Sequence, residues 1–422
     1  MLNNEIKQKR YWILITLMIA GEIVFLLPFV VIRIFRPTFL KVFEISNLEL
    51  GSAFSVYGIV AMISYFWGGP IADRFAAKKL IIVSLLLTAI GGLYMALIPS
   101  MGGMMVLYGF WGISTILLYW AASIKAIRAY GGEYTQGWAF GIVDGGRGLI
   151  AAILGSVSVL FFDAFLSVEA ELATPNELSK ALSQIIYLFI GLVVFSSVLV
   201  VLAFPREEVV SKNTAPILSL KGVAAALKHR TIWLQGFIVL CAYVGYKTTD
   251  DFSLYASDVL GFDDVKAARL ATLSFWVRPF AAFGIGWLGD KWKASRTISI
   301  SFGVIILGSL IMASGVLQNS IGIWIILTIA ITSIGIYGLR GVYFALFKES
   351  DVPMKYIGSA AGIVSLIGYT PDVFFGPLMG YVLDRSPGVT GHQHLFLILA
   401  VFAALGWLAS VRFQKTITKP TS

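Results

Sequence analysis

The sequence predicts an all-α membrane protein with twelve transmembrane helices in two six-helix halves related by a pseudo-two-fold axis. Three observations lead to this fold class: long apolar runs, basic residues grouped on alternate connections, and a loop motif that occurs twice. Of the 422 residues, 58% are hydrophobic and 13% are charged, and the mean hydropathy is +0.85. A soluble domain carries about a quarter charged residues. This composition therefore excludes a cytosolic enzyme, a disordered chain and a disulfide-rich secreted scaffold.

Apolar runs of bilayer-spanning length recur along the whole chain. A spanning helix needs about 20 mainly apolar residues. Runs between charged or Gly/Pro/Asn-rich breaks predict helices at 11–32, 50–69, 79–98, 103–127, 137–162, 184–204, 231–254, 265–287, 297–317, 321–346, 357–383 and 393–412. Most runs are apolar around their whole circumference, as lipid-facing helices are. These spans leave room for short connections only.

Basic residues are concentrated on one side of the predicted bundle. The two tails and the even-numbered connections, with the adjoining helix ends, hold 21 Lys and Arg residues, against 7 on the other side, which include Arg33, Arg36 and Lys41. The positive-inside rule therefore predicts that both termini are cytoplasmic. It also explains the net charge of +9 without a nucleic-acid partner.

One loop motif divides the chain into two halves. Glycine, acid, base and aromatic residues occur in the same order and at identical spacing twice, as Gly69, Asp73, Arg74 and Phe75 and then as Gly286, Asp290, Lys291 and Trp292. Such internal duplication is common in secondary transporters. The sequence thus predicts a six-helix half over 1–204, a linker over 205–230 and a second half with a tail over 231–422.

The repeated loop resembles the signature of the major facilitator superfamily. Ala76 replaces the usual second glycine of the first copy, and Ser295 stands for a base in the second. Residues 145–148, Arg340 and residues 380–384 are also similar to a branch of bacterial inner-membrane transporters, the YihN-like group. The resemblance implies a monomeric carrier in the bacterial inner membrane. The carrier would lie in the lipid bilayer and bind a small-molecule substrate. It would need no cofactor or metal.

The resemblance also implies a gate at the end of the bundle that carries the termini. It places Asp73 near the start of the eleventh helix and Asp290 near the start of the fifth, where unsatisfied amide groups attract a carboxylate. We therefore expect a gating role for Gly69, Asp73, Arg74, Asp290 and Lys291. The alternative is that these bases serve topology alone.

Several charges lie deep within the predicted helices, where each costs about 2.5–3.5 kcal/mol on insertion scales and faces a cavity or a partner. At about 1.5 Å per residue, Glu22, Arg147, Arg278 and Asp372 fall near the bilayer middle. Lys247, Asp144 and Arg340 fall further from it. All occupy helices that the superfamily fold places around or beside its central cavity.

These charges predict an anion site in the cavity. Arginine binds carboxylate or phosphate oxygens through two parallel hydrogen bonds. We expect the substrate to be bound by basic and aromatic side chains, namely Arg147, Arg278, Arg340, Lys247, Tyr243 and Tyr369. The alternative is structural pairing, since Asp144 and Arg147 are three residues apart on one helix and Glu22 or Asp372 could neutralise another arginine.

The predicted function is secondary active transport of a small organic anion by alternating access. The coupling partner is a proton or a counter-anion, and proton coupling would use Glu22, Asp372 or Asp144. Alternatives are an exporter of drugs or other amphiphiles and a transporter-like ligand sensor. An enzyme is not expected, because His229, His392 and His394 fall in predicted loops and no catalytic triad or P-loop is present.

Overall fold

The computed structural model describes residues 2–131, 136–166, 168–205, 224, 226–316, 322–350, 352–353 and 357–418. Within these ranges the regular structure is entirely helical. The helices follow one another as twelve membrane-crossing units, named here α1 to α12. The predicted fold class is confirmed.

Seven units are single helices and five contain a break. The single helices are α2 (Asn47–Arg74), α3 (Ala77–Met95), α5 (Gln136–Phe165), α6 (Pro175–Ala203), α8 (Asp264–Trp292), α9 (Ala294–Ser314) and α12 (Val389–Thr418). The interrupted units are α1 (Leu2–Ile23, Leu26–Val30, Val31–Phe43), α4 (Met101–Gly112, Ile113–Trp120, Ala121–Gly131), α7 (Arg230–Thr248, Thr249–Asp251, Phe252–Leu260), α10 (Gly322–Val342, Tyr343–Lys348) and α11 (Ile357–Gly368, Pro371–Arg385).

Two of the described helices begin with a capping box. Ser46 and Glu49 form a capping box before α2, and Thr174 and Glu177 form one before α6. Each box satisfies backbone amides that the first helical turn leaves without partners. These local signals fix where α2 and α6 begin.

The π-helical turn of α1 contains Pro28, whose missing amide hydrogen prevents regular α-helical bonding. The helix then continues to Phe43, well beyond the predicted end at residue 32. The sequence analysis placed Arg33 and Arg36 in an outer connection, and that assignment is wrong. Both are helical and buried, because each has polar partners inside the protein.

Ten of the described helices are long and apolar enough to cross a membrane, and α7 and α8 are the more polar exceptions. Apolar side chains such as Leu202 and Val316 are about three-quarters exposed, as lipid-facing side chains are in a bundle. The two polar helices carry several of the deep charges. Their charged side chains Lys247 and Arg278 are buried inside the protein, whereas Phe280 and Trp287 of α8 are exposed.

Buried apolar side chains form two clusters. One covers residues 13–204 with three side chains of α8, and the other covers residues 226–413. Residues 206–223 of the predicted linker lie outside the described residues. The division at 204 and 231 stays a prediction. Because the chain crosses the bundle an even number of times, α1 begins and α12 ends at the same end, called here the terminus end; the other is the far end.

Candidate functional site

A central cavity lies between the two halves and encloses about 780 Å³ of empty space, counting its open mouth. Its wall is contributed by α1, α2, α4, α5, α7, α10 and α11. The lining is Glu22, Phe25, Phe29, Val30, Arg33, Tyr57, Ala61, Tyr65, Ile116, Trp120, Arg147, Tyr243, Tyr246, Lys247, Arg340, Tyr369 and Asp372. Charged and aromatic side chains thus converge on one space, from both halves.

Ion pairs between the halves close the far end of the cavity. Arg33 of α1 pairs with Asp250 of α7, and both side chains are at most 5% exposed. These residues are 217 positions apart, which is the same offset that separates Asp73 from Asp290 in the repeated loops. Equivalent positions of the two halves therefore face each other across the pseudo-two-fold axis with opposite charges.

Further polar contacts surround this pair at the far end. Lys41 lies 2.8 Å from Asp264 of α8, and Arg269 lies 2.8 Å from Asp163. The Asp384 carboxylate at the end of α11 accepts hydrogen bonds from the backbone amides of Asn47 (3.1 Å) and Leu48 (2.7 Å). An acid of one half thus caps the start of α2 in the other half.

Small residues bring α2 and α11 together on the same side. A Cβ atom added at Gly51 would overlap the backbone of Gly376, and one added at Gly58 would overlap the backbone of Asp372. Only glycine allows this approach, because the two backbones themselves are in contact. This crossing holds the far-end segments of α2 and α11 against each other.

Toward the terminus end, no ion pair or hydrogen bond joins described residues of the two halves. A Cβ atom added at Gly69, Gly141, Gly284 or Gly286 would meet no heavy atom within 4 Å. Asp73 and Asp290 are exposed, and neither has an ion pair to a described residue. Residues 132–135 and 354–356, next to the predicted latch positions, lie outside the described residues. The cavity therefore opens toward the terminus end, and the gating role of Asp73, Arg74, Asp290 and Lys291 stays a prediction.

Glu22 bridges two of the three predicted anion-binding arginines. Its Oε2 lies 3.2 Å from Arg147 Nε, and its Oε1 lies 3.3 Å from Arg278 Nη1. Arg147 also lies 3.6 Å from Asp144, whose side chain is 66% exposed. Arg278 does not line the cavity. The structural pairing that the sequence left open is therefore present at Arg147 and Arg278.

Arg340 differs from the other two arginines. Among the described residues no carboxylate lies within ion-pair distance of it, and its buried Nη1 atom has no hydrogen-bond acceptor. Its guanidinium carbon lies 3.8 Å from the centre of the Tyr246 ring and 5.9 Å from that of Tyr243. The aromatic faces stabilise the positive charge of Arg340. Its N–H groups remain available as donors to another partner.

Tyrosines connect Arg340 to the rest of the cavity wall. The rings of Tyr243 and Tyr369 meet edge to face at 4.9 Å, and the hydroxyl groups of Tyr369 and Tyr343 lie 3.5 Å apart. Tyr65 of α2 stacks near Tyr369 at 6.5 Å. The predicted residues Tyr243 and Tyr369 thus lie on the same side of the cavity as Arg340, and the Tyr369 hydroxyl is able to donate to a polar ligand.

Lys247 lies at the floor of the cavity between two acids. Its side chain is 2% exposed, and Nζ lies 3.2 Å from Asp250 and 3.7 Å from Asp372. Asp372 also accepts a hydrogen bond of 3.0 Å from the Tyr243 hydroxyl. Lys247 and Asp372, predicted for separate roles, therefore belong to one charge cluster.

The sequence alone indicated no site role for Arg33 or Asp250, and the prediction that His392 lies in a loop is wrong. The offset between Arg33 and Asp250 equals that of the repeated loops, and this match between an arginine and an aspartate could have indicated the pair. His392 is buried in α12 rather than in a loop, because Asp251 lies 2.8 Å from Nδ1 and Asp258 lies 3.1 Å from Nε2.

Comparisons with known proteins agree with this architecture. The sequence profile of the Major Facilitator Superfamily matches residues 14–371. The inner membrane protein YqcE of Escherichia coli is 27% identical over 90% of this chain and 88% of its own length. The inner membrane protein YihN of the same organism is 24% identical over 97% of both chains. A hexuronate transporter of Bacillus subtilis is 21% identical over 88% of this chain and 87% of its own.

Solved structures show the same fold. The nucleoside transporter NupG superposes with a TM-score of 0.73 at 17% identity, covering 96% of this chain and 99% of that one. A D-xylose-proton symporter superposes with a TM-score of 0.76 at 14% identity, covering 96% and 97%. The family profile spans most of the sequence, the two inner-membrane relatives cover nearly all of it, and twelve helices surround a central cavity. The chain therefore belongs to the Major Facilitator Superfamily: it is a multi-pass inner-membrane transporter and not an enzyme.

Proposed function

We propose that this transporter is a secondary active carrier of a small organic anion, and that Arg340 is its principal anion-binding residue. The observation that carries the proposal is the guanidinium of Arg340 at the cavity wall, which has no carboxylate partner among the described residues and lies on the same wall as Tyr243 and Tyr369. Its Nη1 atom is buried and lacks an acceptor, and a buried polar group without a partner is costly. An anionic ligand would remove that cost while it binds.

The charge of the cavity wall supports an anion. Four bases line it, Arg33, Arg147, Lys247 and Arg340, against two acids, Glu22 and Asp372, so the lining has a net charge of 4 − 2 = +2. The relative from Bacillus subtilis is named for hexuronate, a sugar acid. Both observations favour a carboxylate or phosphate group on the substrate over a cation.

For the coupling step we propose a proton on Asp372, with anion exchange as the alternative. Glu22 lies between Arg147 and Arg278, and Asp144 is largely exposed beside Arg147. Because both carboxylate oxygens of Glu22 are engaged by guanidinium groups, we assign it to structural pairing rather than to proton transfer. Asp372 lines the cavity and faces one ammonium group, which it shares with Asp250.

The test is a ligand screen followed by counterflow. Thermal shifts of the purified protein would be measured with a sugar acid, a sugar phosphate, a sulfonate, a short dicarboxylate and a cationic drug. The anion with the largest shift is then used, radiolabelled, in proteoliposomes. We expect counterflow of that anion.

Two results would contradict the proposal. Stabilisation by the cationic drug alone would indicate an exporter of amphiphiles. An anion that stabilises the protein but shows no counterflow would indicate a ligand sensor. An imposed pH gradient then separates the coupling modes, because only a proton symporter accumulates the anion in response to it.

A further inference from the structure

Lys247 occupies a position from which it can join the cavity to the far-end gate. It lies between Asp372, which lines the cavity, and Asp250, which pairs with Arg33 of the other half. Its side chain is buried, and the rings of Phe29 and Phe54 lie 5.1 and 4.8 Å from Nζ. The ammonium group is therefore enclosed and has only these two carboxylates as ion-pair partners among the described residues.

Neither carboxylate holds Lys247 firmly. Nζ lies 3.2 Å from Asp250 Oδ2, yet this buried oxygen has no aligned hydrogen-bond donor. The distance to Asp372 is 3.7 Å, longer than a charge-assisted hydrogen bond. A small rotation of the lysine side chain would complete either bond at the expense of the other.

At the floor of the cavity, Asp250 is the acid that joins the two halves through its ion pair with Arg33. Arg33 Nε and Nη2 both approach Asp250 Oδ1, and Arg33 Nη1 donates to the Tyr246 hydroxyl at 3.0 Å. Because Arg33 and Asp250 belong to different halves, an opening of the far end that moves the halves apart separates them. A second cation drawn fully onto Asp250 would repel Arg33 and so weaken the net attraction between Arg33 and Asp250.

We propose that Lys247 is a switch between Asp372 and Asp250 that couples the state of the cavity to the far-end gate. A charged Asp372 holds Lys247 partly toward the cavity and leaves Asp250 to Arg33, so the far end stays closed. A proton on Asp372 removes that attraction, and Lys247 moves onto Asp250. The Arg33–Asp250 pair then loosens, which favours opening of the far end.

The groups around Asp372 are consistent with this switch. From α7 it faces Lys247, Tyr243 and Asp250, and from α10 it faces Arg340. The tyrosines Tyr57 and Tyr65 of α2 and the neighbouring Tyr369 complete its polar surroundings. Of these groups, Lys247 is the base that also contacts the gate acid. By linkage, protonation of Asp372 and opening of the far end favour each other by the same free energy.

The inference rests on the proposed function, but its test needs no substrate. Spin labels would be placed at the far end by Leu172→Cys and Thr390→Cys in a Cys241→Ala background, in the full chain in nanodiscs. Both label sites are exposed and lie in different halves. The distance distribution between labels is measured for the parent, for Asp372→Asn and for Asp372→Asn with Lys247→Met. Glu349→Gln, an acid of the terminus end outside this cluster, is the matched control.

We expect Asp372→Asn to raise the far-open to far-closed ratio about fivefold or more, the lower range of typical coupling between sites. Lys247→Met should abolish this increase, and Glu349→Gln should leave the parent distribution unchanged. If Asp372→Asn changes nothing, or if its effect persists with Lys247→Met, the switch is wrong. Should a variant fail to fold, a pH titration of the labelled parent replaces it: the far-open fraction must rise as the pH falls, and a flat titration overturns the inference. Anion counterflow with unaltered distances would leave the proposed function standing and remove the switch alone.

Discussion

At the scale of single residues, the pairing of a charge decides its role more than its depth does. The sequence located Arg147, Arg278 and Arg340 within helices, but it could not show which of them lacked an acid. Glu22 reaches the first two from α1, 125 and 256 positions away in the sequence. Arg340 remains with tyrosine rings instead. Its chemistry therefore differs from that of the other two, although all three are the same residue type.

Arg340→Lys should weaken binding of the transported anion about tenfold to a hundredfold while the protein still folds. Lysine retains the charge, but it loses the planar fork and the stacking on Tyr246. The loss of one charge-assisted hydrogen bond corresponds to about 1.5–3 kcal/mol. Titration calorimetry of the purified variant measures this change. Arg412→Lys, at an exposed site on α12, is the control, and equal affinities for both variants would remove Arg340 from the site.

Glu22→Gln should destabilise the protein by about 3 kcal/mol, because it leaves two arginines without their shared acid. Its pH-gradient dependence should be retained if Asp372 carries the proton. Chemical unfolding and gradient-driven uptake measure the two effects. Uptake that no longer responds to the gradient would instead assign the proton to Glu22.

At the scale of helices, the contact between α2 and α11 depends on glycine. Gly51 and Gly376 lie where the backbones touch, and Gly380 packs against Asn47 in the same way. The sequence shows these glycines without showing their partners. The close approach of the two backbones depends on both helices together. Within its own helix, neither glycine shows which residue of the other helix it will contact.

Gly51→Ala should destabilise the far-closed state by about 1–3 kcal/mol, because the new methyl group overlaps the carbonyl of Gly376. Thermal unfolding of the purified variant measures the loss. Gly284→Ala is the matched control, since it meets no neighbour and alanine favours a helix by about 1 kcal/mol over glycine. Equal melting temperatures for the two variants would argue against a tight crossing.

At the scale of the whole molecule, most polar contacts between described residues of the two halves lie at the far end, and the Glu22–Arg278 pair lies nearer the middle. Arg33–Asp250, Lys41–Asp264 and the Asp384 cap join the halves at the far end. At the terminus end, no ion pair or hydrogen bond joins described residues of the two halves. Alternating access also requires a state that is closed at the terminus end and open at the far end. The repeated loops with Asp73 and Asp290 are the predicted contacts of that second state.

Asp73→Asn should slow turnover a few-fold while expression stays intact. A carboxylate at a helix N-terminus contributes about 0.3–1 kcal/mol, and here it would stabilise only the state closed at the terminus end. Initial rates of counterflow in proteoliposomes measure the effect. Glu169→Gln, at an exposed far-end acid, serves as the control. A rate for Asp73→Asn equal to that of the control would leave the loop with a topological role only.

The sequence by itself determined the helices, the duplication and the membrane location of this protein. Apolar runs of bilayer-spanning length, basic connections and a loop motif that occurs twice are local or periodic signals, and each acts without knowledge of distant contacts. Only the tertiary structure decided which charges neutralise one another, that Arg33 and His392 are buried, and which end of the cavity is closed. Those outcomes depend on side chains that meet from different helices, where the low dielectric makes every pairing specific and a residue's position in sequence does not define its neighbours.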